Sequence, residues 1–345
     1  MMKLSLSALL VIGLAPAVEA QTTVDGLIYA SYRYGLAKDT SFVPDGPQNN
    51  FEIDRAYLSV RSKAAGGIAT RVTIDVDSRR AAANQQTFRL KYAYVDWTPE
   101  GSQLTYRLGM QNTPLVGYVE DLWGFRMQGT VPLDRYKYTS SSDLGFTVDG
   151  TSKNRGVTAH AGVFNGEGYS VAPGDQHKDF AARVSVRLRQ TDNDGRLGGL
   201  RLTGYASIGR ANGDAVRNRF VGLLSYQTKT LTLGAEVGRT TDSTAADPET
   251  KGSIVSFFSV HQRAESKLGL IARVDRLDPN TDLSPAAFSS ASSKQTRVIA
   301  GVTYKLAPNV RLLLDADIVS AQGSAVPNAF QAANRAVFLH TEIKF

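Results

Sequence analysis

The chain has 345 residues, no cysteine, and 39 basic against 32 acidic side chains, a formal charge of +7. Disulfide scaffolds and cysteine-ligated metal sites are thereby excluded, and a mean hydropathy of −0.20 is too polar for a bundle of membrane helices. With 42% hydrophobic and 9% aromatic residues the chain can bury a large surface, unlike a disordered sequence.

Residues 1–20 differ from the rest of the chain. Lys3 gives a positive start, Leu4 to Val18 is nearly all apolar or small, and Val18-Glu19-Ala20 is a small-x-small site. The segment reads as a secretory signal peptide cleaved before Gln21. It is short for a membrane anchor and is interrupted by Gly13 and Pro16. From Gln21 onward no stretch approaches about 18 consecutive apolar residues, so a membrane role for residues 21–345 would have to be met without helices.

Alternation of period two dominates residues 21–345. In Arg71-Val72-Thr73-Ile74-Asp75-Val76-Asp77 the even positions are apolar and β-branched while the odd ones are polar, as in a two-faced strand. The pattern predicts sixteen strands, at 23–34, 50–63, 67–77, 87–97, 103–111, 142–149, 156–164, 179–190, 200–210, 217–227, 230–239, 253–263, 267–277, 295–306, 309–319 and 334–345. Most exceed the five or six residues usual in soluble proteins and approach the roughly 9–11 that a tilted strand needs to cross a bilayer. Short turns of Gly, Pro and polar residues (64–66, 98–102, 228–229, 307–308) are interleaved with long polar connections (35–49, 112–141, 165–178, 240–252, 278–294, 320–333). Short turns at one rim and long loops at the other describe an all-β, antiparallel up-and-down transmembrane barrel.

On strands of clear phase, Phe88, Leu90, Tyr92, Tyr94, Leu104, Tyr106, Leu108, Leu202, Ile208, Leu312, Leu314 and Leu339 are expected to share one face, against Arg, Asp, Thr, Ser and Gly on the other. Sixteen strands closed into one sheet leave a lumen too wide for side chains to fill, so the polar face is expected to line water. Its expected residues are Arg71, Arg89, Lys91, Arg107, Arg183, Arg187, Arg189, Arg201, Arg273, Asp315 and Asp317. Counted over strands of clear phase, bases slightly outnumber acids, which predicts a weak anion preference.

Residues 112–141 are too long for a simple hairpin loop. They hold Tyr118, Trp123 and Phe125 beside Glu120, Asp121, Arg126, Asp134, Arg135 and Lys137. The expectation is an inward-folded constriction, aromatics against the wall and charges facing water. Asp192-Asn193-Asp194-Gly195 lacks the remaining ligands of a calcium loop and reads as a turn, and the four histidines have no metal spacing. No serine carries a hydrolase signature, and the basic residues form no run or aromatic platform for nucleic acid. No metal, cofactor or catalysis is called for.

Val337 to Phe345 ends the chain on an aromatic with apolar residues at alternate positions before it. This resembles the terminal strand of Gram-negative outer-membrane barrels. The chain as a whole resembles the porins, and more narrowly the sixteen-stranded phosphate-selective porin group. The likeness is tightest in Phe51-Glu52-Ile53-Asp54-Arg55-Ala56-Tyr57-Leu58-Ser59-Val60 and in Leu108-Gly109-Met110-Gln111-Asn112-Thr113-Pro114-Leu115. In that group a glycine, a polar pair and a proline open the inward-folded third loop, the pattern matched by Gly109, Pro114 and the stretch to Arg126. The basic residues are mostly arginine, however, and the lysine-rich path of the selective members is absent. The resemblance implies a homotrimeric diffusion channel for small hydrophilic solutes or anions in outer-membrane lipid, with Phe345 read by the barrel-assembly machinery. The alternative from another class is a plugged or ligand-binding outer-membrane barrel, an adhesin or substrate-specific channel.

Overall fold

Alternation has a direct structural consequence. Each two-faced segment pairs with its chain neighbour, and the ladder continues until the last strand meets the first. The computed structural model describes residues 21–36, 49–77, 87–172, 174–211, 215–243, 249–284, 293–322 and 335–345. The leader expected over residues 1–20 lies outside the described residues.

Among the described residues there are sixteen strands. The first eight are β1 (Gln21–Gly35), β2 (Asn49–Ala64), β3 (Ile68–Asp77), β4 (Thr87–Trp97), β5 (Leu104–Asn112), β6 (Ser142–Thr151), β7 (Val157–Phe164) and β8 (Asp179–Arg189). The rest are β9 (Gly199–Ala211), β10 (Ala215–Gln227), β11 (Leu231–Asp242), β12 (Thr250–Gln262), β13 (Leu268–Asp278), β14 (Gln295–Ala307), β15 (Val310–Ala321) and β16 (Arg335–Lys344). All pair antiparallel with their neighbours, and β1 pairs with β16, which closes the barrel. Closure leaves no sheet edge, so strand backbone groups find partners without water.

The seam runs from Gly35 opposite Ala336 to Leu27 opposite Lys344 and is completed at the short-turn rim. Gly26 N–H donates to the Phe345 carbonyl at 2.7 Å and Phe345 N–H to the Gly26 carbonyl at 3.0 Å. The Phe345 ring occupies the space a side chain at 26 would need. Nearby, His340 Nε2 lies 3.1 Å from Asp315, and its Nδ1 lies 3.8 Å from Asp54 across the seam. At the β2–β3 turn, Gly66 and Gly67 take φ of 73° and 75°, a left-handed conformation that glycine adopts without steric cost. Two connections depart from the simple sorting by length: residues 190–198 at the short-turn rim, and the mere three residues between β9 and β10 at the other.

The outward face is apolar over most of its height, with Arg210, Arg239 and Arg276 exposed toward the long-loop rim. Leu58, Val72, Leu90, Leu108, Leu202, Phe257, Leu270, Val302 and Leu314 are all exposed on it, whereas Ser59, Thr73, Asp75, Thr203, Ser256, Thr303 and Asp315 are buried on the other. Register shifts interrupt four of the ladders, two of them at strand ends and two well inside a strand, where they break the phase. In β2 the register against β1 shifts so that no β1 residue stands opposite Asp54, and both Asp54 and Arg55 turn inward. In β4 the shift falls at Lys91, which places Lys91 and Tyr92 on the same, inner side. Tyr92 and Tyr94 therefore leave the outward face expected of them and stack under Arg71 and Arg107 at 4.3 Å and 4.2 Å. One extra residue inverts every side chain beyond it.

Candidate functional site

The inner wall has two unlike halves. On β10 to β15 it carries Leu223, Ile254, Phe258, Ile271, Ile299 and Leu313, each no more than 3% exposed. Such residues depart from the expected face of Arg, Asp, Thr, Ser and Gly. The apolar half is covered by residues 113–141, whose ends are tied together by Thr113 Oγ1 to the Ser140 carbonyl (2.5 Å) and Thr113 N–H to the Ser141 carbonyl (3.3 Å).

Within this segment α1 (Val116–Trp123) buries Val116, Val119, Leu122 and Trp123, which recur at helical spacing on one side. It stops at Gly124, whose φ of 68° turns the chain and whose N–H donates to the Glu120 carbonyl at 2.8 Å. A one-turn helix, α2 (Pro132–Arg135), starts with proline at a position where no amide donor is needed. The Trp123 ring meets Phe258 of β12 at 5.6 Å.

Polar contacts fix the same segment to the wall. Tyr118 Oη lies 2.8 Å from Ser185 Oγ of β8. Arg183 donates to the Pro114 carbonyl and to Thr158 Oγ1, both at 2.9 Å, and lies 4.2 Å over the Tyr118 ring. Arg273 donates to the Thr130 carbonyl at 3.1 Å while paired with Asp275 at 2.7 Å. Arg219 donates to the Tyr138 carbonyl at 2.7 Å, and Gln128 donates to Asp317 at 3.1 Å.

The expected lumen-wall residues thus divide. Arg183, Arg201 and Arg273 are at most 3% exposed and spend their donors on backbone carbonyls and neighbours, Arg201 on the Arg155 carbonyl at 3.0 Å. Asp315 and Asp317 are likewise committed, to His340 and to Arg297 at 2.6 Å. Arg107 forms a two-pronged pair with Asp96, and Arg89 stands opposite Asp75. Arg187 donates to the Gly198 carbonyl at 2.9 Å and braces the β8–β9 turn. Arg189 is a correction: a register shift after Arg187 pairs it with Leu200, one position before inward-facing Arg201, so it leaves the inner face and is exposed. In the same turn Asn193 Oδ1 accepts from Gly195 N–H at 2.9 Å, an Asx turn.

Among the segment's charges, Glu120 pairs with Arg126 at 2.7 Å and accepts from Thr130 at 3.1 Å. Thr130 Oγ1 also lies against the Asp134 carboxylate, Asp121 pairs with Arg196, and Arg135 donates to Gln128 at 3.0 Å and faces Asp317 at 3.5 Å. Burial pushes the Glu120 carboxyl above the usual carboxylate range, against the lowering effect of Arg126.

The other half of the wall, β1 to β4, stays open. Here a cavity of about 420 Å³ lies between Tyr29, Tyr57, Arg61, Arg71, Lys91 and Tyr92 on the wall and Glu120, Gly124 and Arg126 on the segment, with Arg311, Glu342 and Lys344 completing it. A smaller cavity of about 180 Å³ shares Asp121 with it, and a third of about 300 Å³ shares Thr113 with the second. Together the three border the segment from Glu167 and Arg217 near the long-loop rim to Arg61 and Lys344 near the other.

Sequence reasoning missed Arg55, Arg61, Arg219, Tyr29 and Tyr57 on this inner face. The signal for the first was present: Ile53-Asp54-Arg55-Ala56 sets two polar residues side by side between apolar ones, and so does a bulge.

Comparison with solved structures fits this geometry. An anion-selective porin from Comamonas acidovorans superimposes with a TM-score of 0.67 at 12% identity, covering 95% of this chain and 100% of that one. Salmonella typhi OmpF, in complex with daunomycin, gives a TM-score of 0.67 at 12% identity, covering 94% of this chain and 97% of that one. The outer-membrane-expressed OmpT of Vibrio cholerae gives 0.62 at 12% identity, covering 94% and 98%. The chain has the fold of these barrels. No protein-family model matches it, and none of the curated proteins matches it.

Proposed function

We propose that the chain is a porin of the Gram-negative outer membrane, a water-filled channel through which small hydrophilic solutes and ions diffuse. The observation that carries this reading is the pairing of a closed sixteen-stranded sheet, apolar outside, with a run of charged cavities inside. A ring of that size cannot be filled by wall side chains, so solutes pass without chemistry and the relevant physics is pore width and field.

In this reading residues 113–141 are the inward-folded third loop, held to the apolar half of the wall, and Glu120, Asp121 and Arg126 border the constriction. Arg71 and Lys91 face them from the open half. The expected export leader, the assembly signal at Phe345 and the homotrimer belong to the same proposal, as does the weak anion preference. The narrower likeness to phosphate-selective porins is supported by the two matched stretches alone.

Purified protein reconstituted into a planar lipid bilayer tests the proposal. Stepwise, ohmic conductance increments in KCl are the expected result. A folded barrel that inserts and carries no current would overturn it in favour of the plugged alternative.

A further inference from the structure

The open half of the wall differs from the rest of the inner face in one respect that simple ion passage does not use. Leu27, Tyr29, Tyr57 and Tyr92 line a single cavity there. A small inorganic ion gains nothing from such surface and gives up hydration beside it. A ring would bury apolar area against it.

The polar groups in that cavity are selectively left over. Three of its arginines already have carboxylates: Arg61 pairs with Asp25 at 2.7 Å, Arg126 with Glu120 at 2.7 Å and Arg311 with Glu342 at 3.1 Å. Arg71 has none among the described residues; its Nε donates to Thr73 Oγ1 at 2.9 Å and its guanidinium lies over the Tyr92 ring. The hydroxyls of Tyr29, Tyr57 and Tyr92 likewise make no hydrogen bond to the described residues, whereas Tyr118 is tied to Ser185. One guanidinium without a carboxylate partner and three phenols without a hydrogen bond, among the described residues, are donors for a carboxylate, set around apolar ring faces.

We propose that this cavity is a recognition site for planar organic anions, with aryl carboxylates the class that fits it. The carboxylate sits on Arg71, whose guanidinium the Tyr92 ring supports at 4.3 Å, with phenol hydroxyls donating to it, and the ligand ring lies against Tyr57 and Leu27. The volume of about 420 Å³ falls in the range of roughly 300–1,000 Å³ usual for small-molecule sites. The proposal deepens the channel reading and rests on it for its biological sense, though binding itself is measured without current.

The test is isothermal titration calorimetry of the full barrel in detergent with benzoate, acetate and benzyl alcohol, beside KCl conductance in a bilayer. Benzoate is expected to bind at least tenfold more tightly than acetate, which lacks the ring, and than benzyl alcohol, which lacks the charge. Arg71→Gln and Tyr92→Ser are each expected to abolish that difference. Equal affinity for benzoate and acetate, or a benzoate preference untouched by both variants, would overturn the site. A barrel that conducts KCl but fails the benzoate comparison loses this proposal alone; one that binds benzoate but carries no current loses the channel reading alone.

Discussion

Arg311 of β15 lies 4.3 Å over the ring of Phe125 and donates to the Gly124 carbonyl at 2.7 Å. The contact fastens the end of α1 to the wall where the segment turns, beside the Arg126–Glu120 pair. A cation over an aromatic face together with a charge-assisted hydrogen bond is worth on the order of 1–2 kcal/mol. Arg311→Ala is therefore expected to leave the barrel folded and to raise open-channel current noise severalfold, as the turn at 124 samples more positions. Noise equal to that of the parent would count against a fastening role.

Charge selectivity should follow the open half of the wall. Arg71 borders the largest of the three cavities, whereas Arg183 is 3% exposed and spends its donors on the Pro114 carbonyl and Thr158. Across a KCl gradient the parent is expected to give a small zero-current potential of anionic sign, most visible below physiological salt, where screening extends beyond about 8 Å. Arg71→Glu should move it toward cations. Arg183→Glu should leave selectivity nearly unchanged and destabilise the fold by about 3–5 kcal/mol, since it buries an uncompensated acid at the same place.

Glu120 gives the channel a pH dependence whose sign can be stated. Burial raises its carboxyl, with Arg126 opposing and Asp134 reinforcing the rise. A carboxyl that binds its proton more readily folded than unfolded makes the native state less stable as pH rises through the gap between the two values. Conversely, stability is recovered as pH falls through that gap toward the ordinary value of about 4.3. In the same window Glu120 loses its charge and Arg126 is left uncompensated, so anion preference should grow on going from neutral to acidic pH. Reversal potentials of the parent and of Glu120→Gln at both pH values check this: the variant should show the larger preference already at the higher pH.

Strand positions are legible because period-two alternation and strand length are local properties. All sixteen segments read from the pattern coincide with observed strands to within a few residues at each end. Facing is legible only where no bulge intervenes. Tyr92 and Tyr94 read as outward because Phe88 and Leu90 are, yet the extra residue at Lys91 inverts them. The mixed phase of 217–227 and 253–263 has a different cause: Leu223, Ile254 and Phe258 are inner-face apolar residues that meet the segment 113–141, a contact between distant parts of the chain that local alternation does not encode. Arg189 is lost to a register shift at a strand end, where turn geometry overrides alternation.

Orientation is testable by single cysteines in this cysteine-free chain. Ser284 lies exposed at the long-loop rim and Glu100 exposed in the β4–β5 turn at the other. On intact cells an impermeant thiol reagent should label Ser284→Cys and spare Glu100→Cys; the reverse would invert the topology. Gly66 is a poorer probe of that rim than Glu100, because its φ of 73° strains any residue with a side chain. Asp45 lies outside the described residues, and Asp242 would forfeit its 2.6 Å pair with Arg219.

A closed ring of ladders should also resist detergent. Unheated samples are expected to migrate faster in denaturing gels than boiled ones, since no edge offers a place for unfolding to begin. Identical migration before and after boiling would count heavily against closure in solution.

The seam between β1 and β16 sets how the barrel must assemble in time. Every other pairing joins strands adjacent in the chain, hairpin to hairpin, and can form as soon as its own residues are present. The pairing of Leu27 with Lys344 joins positions more than three hundred residues apart. The entropic cost of bringing the two ends of that ladder together is therefore incurred in one step, at ring closure. Until that step both outer strands are bare edges, the state in which a sheet pairs with the wrong partner. The rate of productive folding should thus be set by the ring-closing contact of Phe345 with Gly26, and shortening the chain by its last few residues should trap an open sheet.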